Sequence, residues 1–141
     1  ERVISVAYFA LINVEKYDPQ PLKRYKAAWF PVGSHPELIF DHGDMLAQAK
    51  RELKRKAATE PIGFALLPQK FTIPQLQKLY EAMLDTELDR GNFNRRIKAS
   101  GVLRRLDEKE RSGSKKGAFL YVFDRQQYQT LRARGSSINL V

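Results

Sequence analysis

The residues best suited to chemistry in this chain are Arg90, Gly91, Asn92, Asn94, Arg95, Arg96 and Lys98, and the chemistry is recognition rather than bond breaking. Arginine carries a planar fork that matches the O6 and N7 acceptors of guanine, and asparagine can pair with the N6 and N7 edge of adenine. A glycine at position 91 lets a helix backbone come close to a duplex. At about 100° per helical residue, Phe93 and Ile97 share one side, Gly91, Arg95 and Lys98 point the other way, and Asn92 and Asn94 lie on the flanks. One side can be held by a core while the other enters a groove. A second group, Ser112, Ser114, Lys115 and Lys116, suits phosphate contacts, where small residues and backbone amides contribute alongside charge. Taken alone, Arg95, Arg96 and Lys98 also fit a solvated helix face. Their context decides for double-stranded DNA as the expected partner.

That context is a set of elements with clear boundaries. Asp89 is placed to cap the helix carrying these residues, and Gly101 can take the left-handed position at its end. An earlier helix starts at Thr72, followed three residues later by Gln75 at capping-box spacing. Pro74 falls in its first turn, and Phe71 can pack on Leu76 as a hydrophobic staple. Leu76, Leu79, Tyr80, Met83 and Leu84 continue as an amphipathic stripe of the core kind. A short turn, Asp85 to Leu88, joins the two helices as in a helix-turn-helix. The period then changes to strands at Val102–Leu106 and Ala118–Phe123 around a polar tip, Asp107 to Gly117. A hairpin directly after the second helix is a wing, so residues 71–126 are expected to form a winged helix DNA-binding domain.

The preceding residues read differently. Arg2 to Asn13 is a nearly continuous β-rich apolar run, the pattern of a strand covered on both faces. Tyr17 to Pro21 reads as a loop, and Ala27 to Val32 as a short strand bounded by Pro and Gly. Asp41 is a candidate cap for a helix burying Met45, Leu46, Ala49 and Leu53. Its Lys50, Arg51, Lys54, Arg55 and Lys56 are read as a solvated face rather than a phosphate-contacting one. Residues 61–70 are expected to be a connector and residues 127–141 a C-terminal tail, and the fold class is α+β.

Charge supports a polyanionic partner. The chain has 25 Lys and Arg against 16 Asp and Glu, a net +9. Residues 1–68 hold 10 basic and 8 acidic side chains while residues 69–141 hold 15 and 8, so the excess is concentrated in the C-terminal half. With no Cys and two His, disulfide frameworks and cysteine-ligated zinc are excluded and a histidine-rich cluster is not expected. No metal or other cofactor is anticipated. No apolar run approaches the roughly 20 residues needed to span a bilayer, and no secretory signal opens the chain. The expectation is a soluble, cytoplasmic protein without a membrane partner. A start at Glu1 that runs at once into a strand suggests a fragment of a longer chain.

Several segments resemble one family in the order they occur there. They are Arg2-Val3-Ile4-Ser5-Val6-Ala7-Tyr8, Ala28-Trp29, Phe40-Asp41-His42, Leu66-Leu67-Pro68, Phe71-Thr72-Ile73-Pro74-Gln75-Leu76-Gln77 and Asn92-Phe93-Asn94-Arg95-Arg96. Together they look like the Nudix-related transcriptional regulators, across about Arg2 to Arg125. The resemblance implies a partial Nudix-like α/β sandwich over residues 1–60, followed by the winged helix. It also implies a homodimeric repressor whose sandwich senses a small-molecule effector, ADP-ribose in one branch and a sugar such as arabinose in others. The residues that would bind the effector are not identified.

Nudix hydrolases share that sandwich, which makes a Mg²⁺-dependent hydrolase of nucleoside diphosphate derivatives the alternative. Their helix places several carboxylates together to hold the metal against a diphosphate. Arg51-Glu52-Leu53 matches only the middle of that box, since the expected Glu pair falls on Arg55 and Lys56. No catalytic or metal-ligating residue is therefore assigned within this chain. Asp41 and His42 have no third partner in the sequence and are read as a helix cap and a packing or turn residue.

Overall fold

The computed structural model describes residues 6–14, 17–18, 20–111 and 116–135. The chain divides into two units, residues 1–50 and 51–141. In the first, a short helix α1 spans Gln20–Arg24, where a loop was expected. The Asp18 carboxylate accepts the Gln20 backbone N–H at 2.9 Å, which satisfies a donor that the helix start leaves open. The strands expected at Arg2–Asn13 and Ala27–Val32 are not present among the described residues. Val6, Tyr8, Phe9, Trp29, Phe30 and Val32 are exposed instead. A β-rich apolar run becomes a strand only where a neighbouring strand satisfies its backbone and a layer covers its side chains. Neither is supplied among the described residues of this unit, which form no sandwich.

The long helix α2, His42–Thr59, starts where the sequence placed it. The carbonyl of Asp41 accepts the Met45 N–H at 3.0 Å. Met45, Leu46, Ala49 and Leu53 are half-buried, and Ala57 is fully buried.

In the second unit a turn of 3-10 helix, Ile62–Leu66, leads into β1, Phe71–Thr72, and directly into α3, Ile73–Leu84. Then come α4, Arg90–Ala99, the hairpin strands β2, Leu103–Glu110, and β3, Ala118–Phe123, and finally α5, Arg125–Ala133. The strands form an antiparallel sheet in the order β1-β3-β2. The wing is longer than expected, because β2 continues through Asp107 to Glu110 instead of ending at Leu106. A register shift between Arg105 and Lys109 permits the extension.

The core of this unit collects Phe64, Phe71, Ile73, Leu76, Tyr80, Met83, Phe93, Ile97, Val102 and Tyr121. Each large apolar side chain removed from water contributes roughly 1.5–3 kcal/mol. Phe64 lies in the segment expected to be a connector, yet it stacks on Phe123 with ring centroids 4.4 Å apart and touches Phe71 at 5.7 Å. Residues 127–133, expected as tail, lie in α5, whose Tyr128 ring is 5.8 Å from Phe123. Asp124 starts that helix by accepting the Gln127 N–H at 2.9 Å.

Candidate nucleic-acid interface

Helix α3 positions everything downstream. Thr72 accepts the Gln75 backbone N–H while the Gln75 side chain accepts the Thr72 N–H at 2.7 Å, so two orphan donors of the helix start are satisfied reciprocally. At the other end Asp85 takes a left-handed conformation, φ 55°, which a short polar residue tolerates better than most. Two side chains then lock the turn. Gln77 Nε2 donates to the Leu88 carbonyl at 2.8 Å and to Glu81 Oε1 at 2.9 Å, and the same Glu81 oxygen accepts the Leu88 N–H at 3.1 Å. The hydrogen bonds from Gln77 and then Leu88 hold the Glu81 carboxyl below its usual range.

Leu88 leads to Asp89, whose carboxylate accepts the Asn92 N–H at 2.7 Å and starts α4. Phe93 and Ile97 are buried, and the Phe93 ring meets Tyr80 at 5.8 Å. Tyr80 is fully buried with its hydroxyl unpartnered, and burial pushes that hydroxyl far up from the ordinary phenol range. Arg90, Gly91, Asn92, Arg95, Arg96 and Lys98 are exposed and Asn94 is half-buried on the flank. Arg95 donates to Asn92 Oδ1 at 3.2 Å, a contact that aligns the guanidinium along the helix surface. The helix ends as its sequence indicates, with Gly101 left-handed at φ 72°.

The wing carries fewer of the anticipated contacts into view. Lys116 is exposed beside Gly117, which has φ 68°. Ser112, Ser114 and Lys115 lie outside the described residues. The sequence reading missed Arg105 and Lys109, which approach the half-exposed Phe119 ring at 4.6 and 4.5 Å from its centroid. Alternation of Arg, Lys and acid along β2 hid them, because the shift that brings them together is not visible in the sequence.

The hydrolase-like segment is occupied otherwise. Glu52 is engaged by Arg55, whose Nε donates at 2.9 Å, and this hydrogen bond lowers the Glu52 pKa and raises that of Arg55. His42 is exposed, with its ring edge-on to Phe40 at 6.2 Å. A cleft of about 810 Å³ beside α5 is lined by Phe64, Phe123, Arg104, Arg125 and Arg132 among others, with no carboxylate in its walls.

The arrangement has a close counterpart among known domains. Residues 63–123 match the NrtR DNA-binding winged helix domain. The match begins at Gly63 and so takes in the segment that carries Phe64. Over 127 residues the chain is 35% identical to the ADPR responsive transcriptional repressor NtrR of Acinetobacter baylyi, covering 89% of this chain and 50% of that protein. Two solved structures of Shewanella oneidensis NrtR are also similar. The complex with a 27mer DNA has a TM-score of 0.56 at 28% identity, covering 68% of this chain and 44% of that one. The other structure has a TM-score of 0.55 at 25% identity, covering 74% and 48%. The chain thus spans about half the length of the relatives it matches.

Proposed function

We propose that this chain is the DNA-binding part of a cytoplasmic, homodimeric transcriptional repressor of the NrtR kind, with ADP-ribose as the effector of the whole protein. The exposed face of α4 carries this reading. Arg90, Asn92, Arg95, Arg96 and Lys98 stand in solvent on a helix whose Phe93 and Ile97 are fixed in the core. In this reading Arg95, aligned by Asn92, reads base edges together with Asn94, and Gly91 lets the backbone approach. Arg90, Arg96 and Lys98 join Ser112, Ser114, Lys115 and Lys116 on phosphates. The name of the Acinetobacter relative supports ADP-ribose over arabinose. A ligand that favours the DNA-free state must weaken DNA binding by its ratio of affinities for the two states.

The test is anisotropy of labelled duplex DNA, with the chain and with the full-length protein that contains it. The chain is expected to bind with an affinity that falls steeply as salt rises, since each neutralised phosphate releases counterions. ADP-ribose is expected to release the full-length protein from its operator. Absence of duplex binding at low salt would remove the DNA reading, and an operator affinity indifferent to ADP-ribose would remove the effector.

A further inference from the structure

The register of the wing hairpin rearranges its charges. Leu103, Arg104 and Arg105 stand opposite Phe123, Val122 and Tyr121, but Lys109 and Glu110 stand opposite Phe119 and Ala118. Continued without the shift, the first register would set Asp107 against Phe119 and Glu108 against Ala118. A carboxylate over the negative face of an aromatic ring is unfavourable, whereas a cation there is attracted. The shift substitutes Lys109 for Asp107 at the ring, and Glu108 is drawn off to Lys70, whose Nζ donates to its two oxygens at 2.8 and 2.7 Å.

The outcome is a pair of exposed cations organised by one half-exposed ring. With Arg105 Cζ at 4.6 Å and Lys109 Nζ at 4.5 Å from the Phe119 centroid, the two charges are at most about 9 Å apart. Long cationic side chains ordinarily lose rotamer freedom when they bind, and side chains already held on an aromatic surface lose less. Two like charges held near one another also repel, a cost that a neighbouring anion relieves. Duplex DNA supplies such anions at about one per 1.7 Å of axis.

We propose that Arg105, Phe119 and Lys109 form a phosphate-backbone contact on the body of the wing, separate from its tip and from α4, that holds duplex DNA without regard to sequence. This rests on the DNA-binding reading above, and DNA is preferred to an acidic protein because the hairpin follows α4 directly in the chain. The probe is a fluorescein-labelled random-sequence duplex titrated with the whole chain over a series of salt concentrations. R105A/K109A is expected to weaken binding about tenfold at low salt and to reduce the slope of log affinity against log salt by about 1.8, the value for two phosphates. F119L, which keeps apolar bulk but loses the ring, should lose part of the same affinity, and F119Y should retain it. Circular dichroism and thermal midpoints matched to the parent keep the comparison free of folding effects. Parent binding whose slope is unmoved by R105A/K109A would overturn this contact alone. A parent chain that binds no duplex would overturn it together with the DNA reading.

Discussion

The two units of this chain draw on similar kinds of residue and reach different ends. Residues 6–14 and 27–32 are as apolar and β-prone as β3, yet they form no strand among the described residues, whereas Ala118–Phe123 lies between two partners. The difference is completion. In the second unit Phe71 and Thr72 pair with Tyr121 and Leu120 on one edge of β3, and β2 pairs on the other. Aromatic side chains from four separate segments close over the result. Apolar pattern states what a segment can become, and the partners present decide whether it does.

Truncating one apolar side chain in each unit separates the two most strongly. Leu76→Ala, at a fully buried position of α3, is expected to cost about 2–5 kcal/mol. Trp29→Ala, at a side chain half exposed and edge-on to Tyr17 at 5.6 Å, should cost less, about 1 kcal/mol. Denaturant unfolding followed by far-ultraviolet circular dichroism gives both values, and equal losses would mean that the first unit is as tightly packed as the second. A smaller effect is expected at the start of α3. Thr72→Ala removes a capping oxygen and leaves the Gln75 N–H unsatisfied, costing about 1–2 kcal/mol by the same measurement.

Much of the second unit is legible in the sequence because its signals are local. The Thr72 and Gln75 spacing, Asp89 three residues before Asn92, and Gly101 after Ala99 each act within a turn of chain, and all three are realised. The amphipathic division of α4 is local for the same reason. What could not be read depends on distant residues. Phe64 joins the core by stacking on Phe123, some sixty positions later in the chain, a pairing that no local signal announces. The extension of β2 and the gathering of Arg105 and Lys109 on Phe119 depend on a pairing register that no single segment contains. The candidate contacts divide likewise, those on α4 being visible from spacing and those on the wing body only from the fold.

Two finer measurements sharpen the account within the second unit. Tyr80→Phe removes an unpartnered buried hydroxyl, and deleting such a group while keeping its ring is expected to leave stability unchanged or raise it by up to about 1 kcal/mol. A clear loss would reveal a hydrogen bond made by that hydroxyl. The smallest effect belongs to pH. Because Glu81 has a lowered pKa in the folded state, its contribution is fully present above the ordinary glutamate value and is lost as pH falls through the folded value. Acid unfolding of Glu81→Gln should therefore show a shallower pH dependence than the parent below the ordinary carboxylate range. Superimposable curves would contradict the role given to the carboxylate in the turn.

Thr72 has one more consequence. It is the last residue of β1, opposite Leu120 of the wing, and at the same time the residue on which α3 begins. Strand edge and helix start share one buried peptide. A local opening that detaches Thr72 from β3 also strips the first turn of α3 of its cap, so hydrogen exchange at the two places belongs to a single cooperative unit of opening. The wing and the first helix of the helix-turn-helix are, in that sense, one piece of the molecule reached from two directions along the chain.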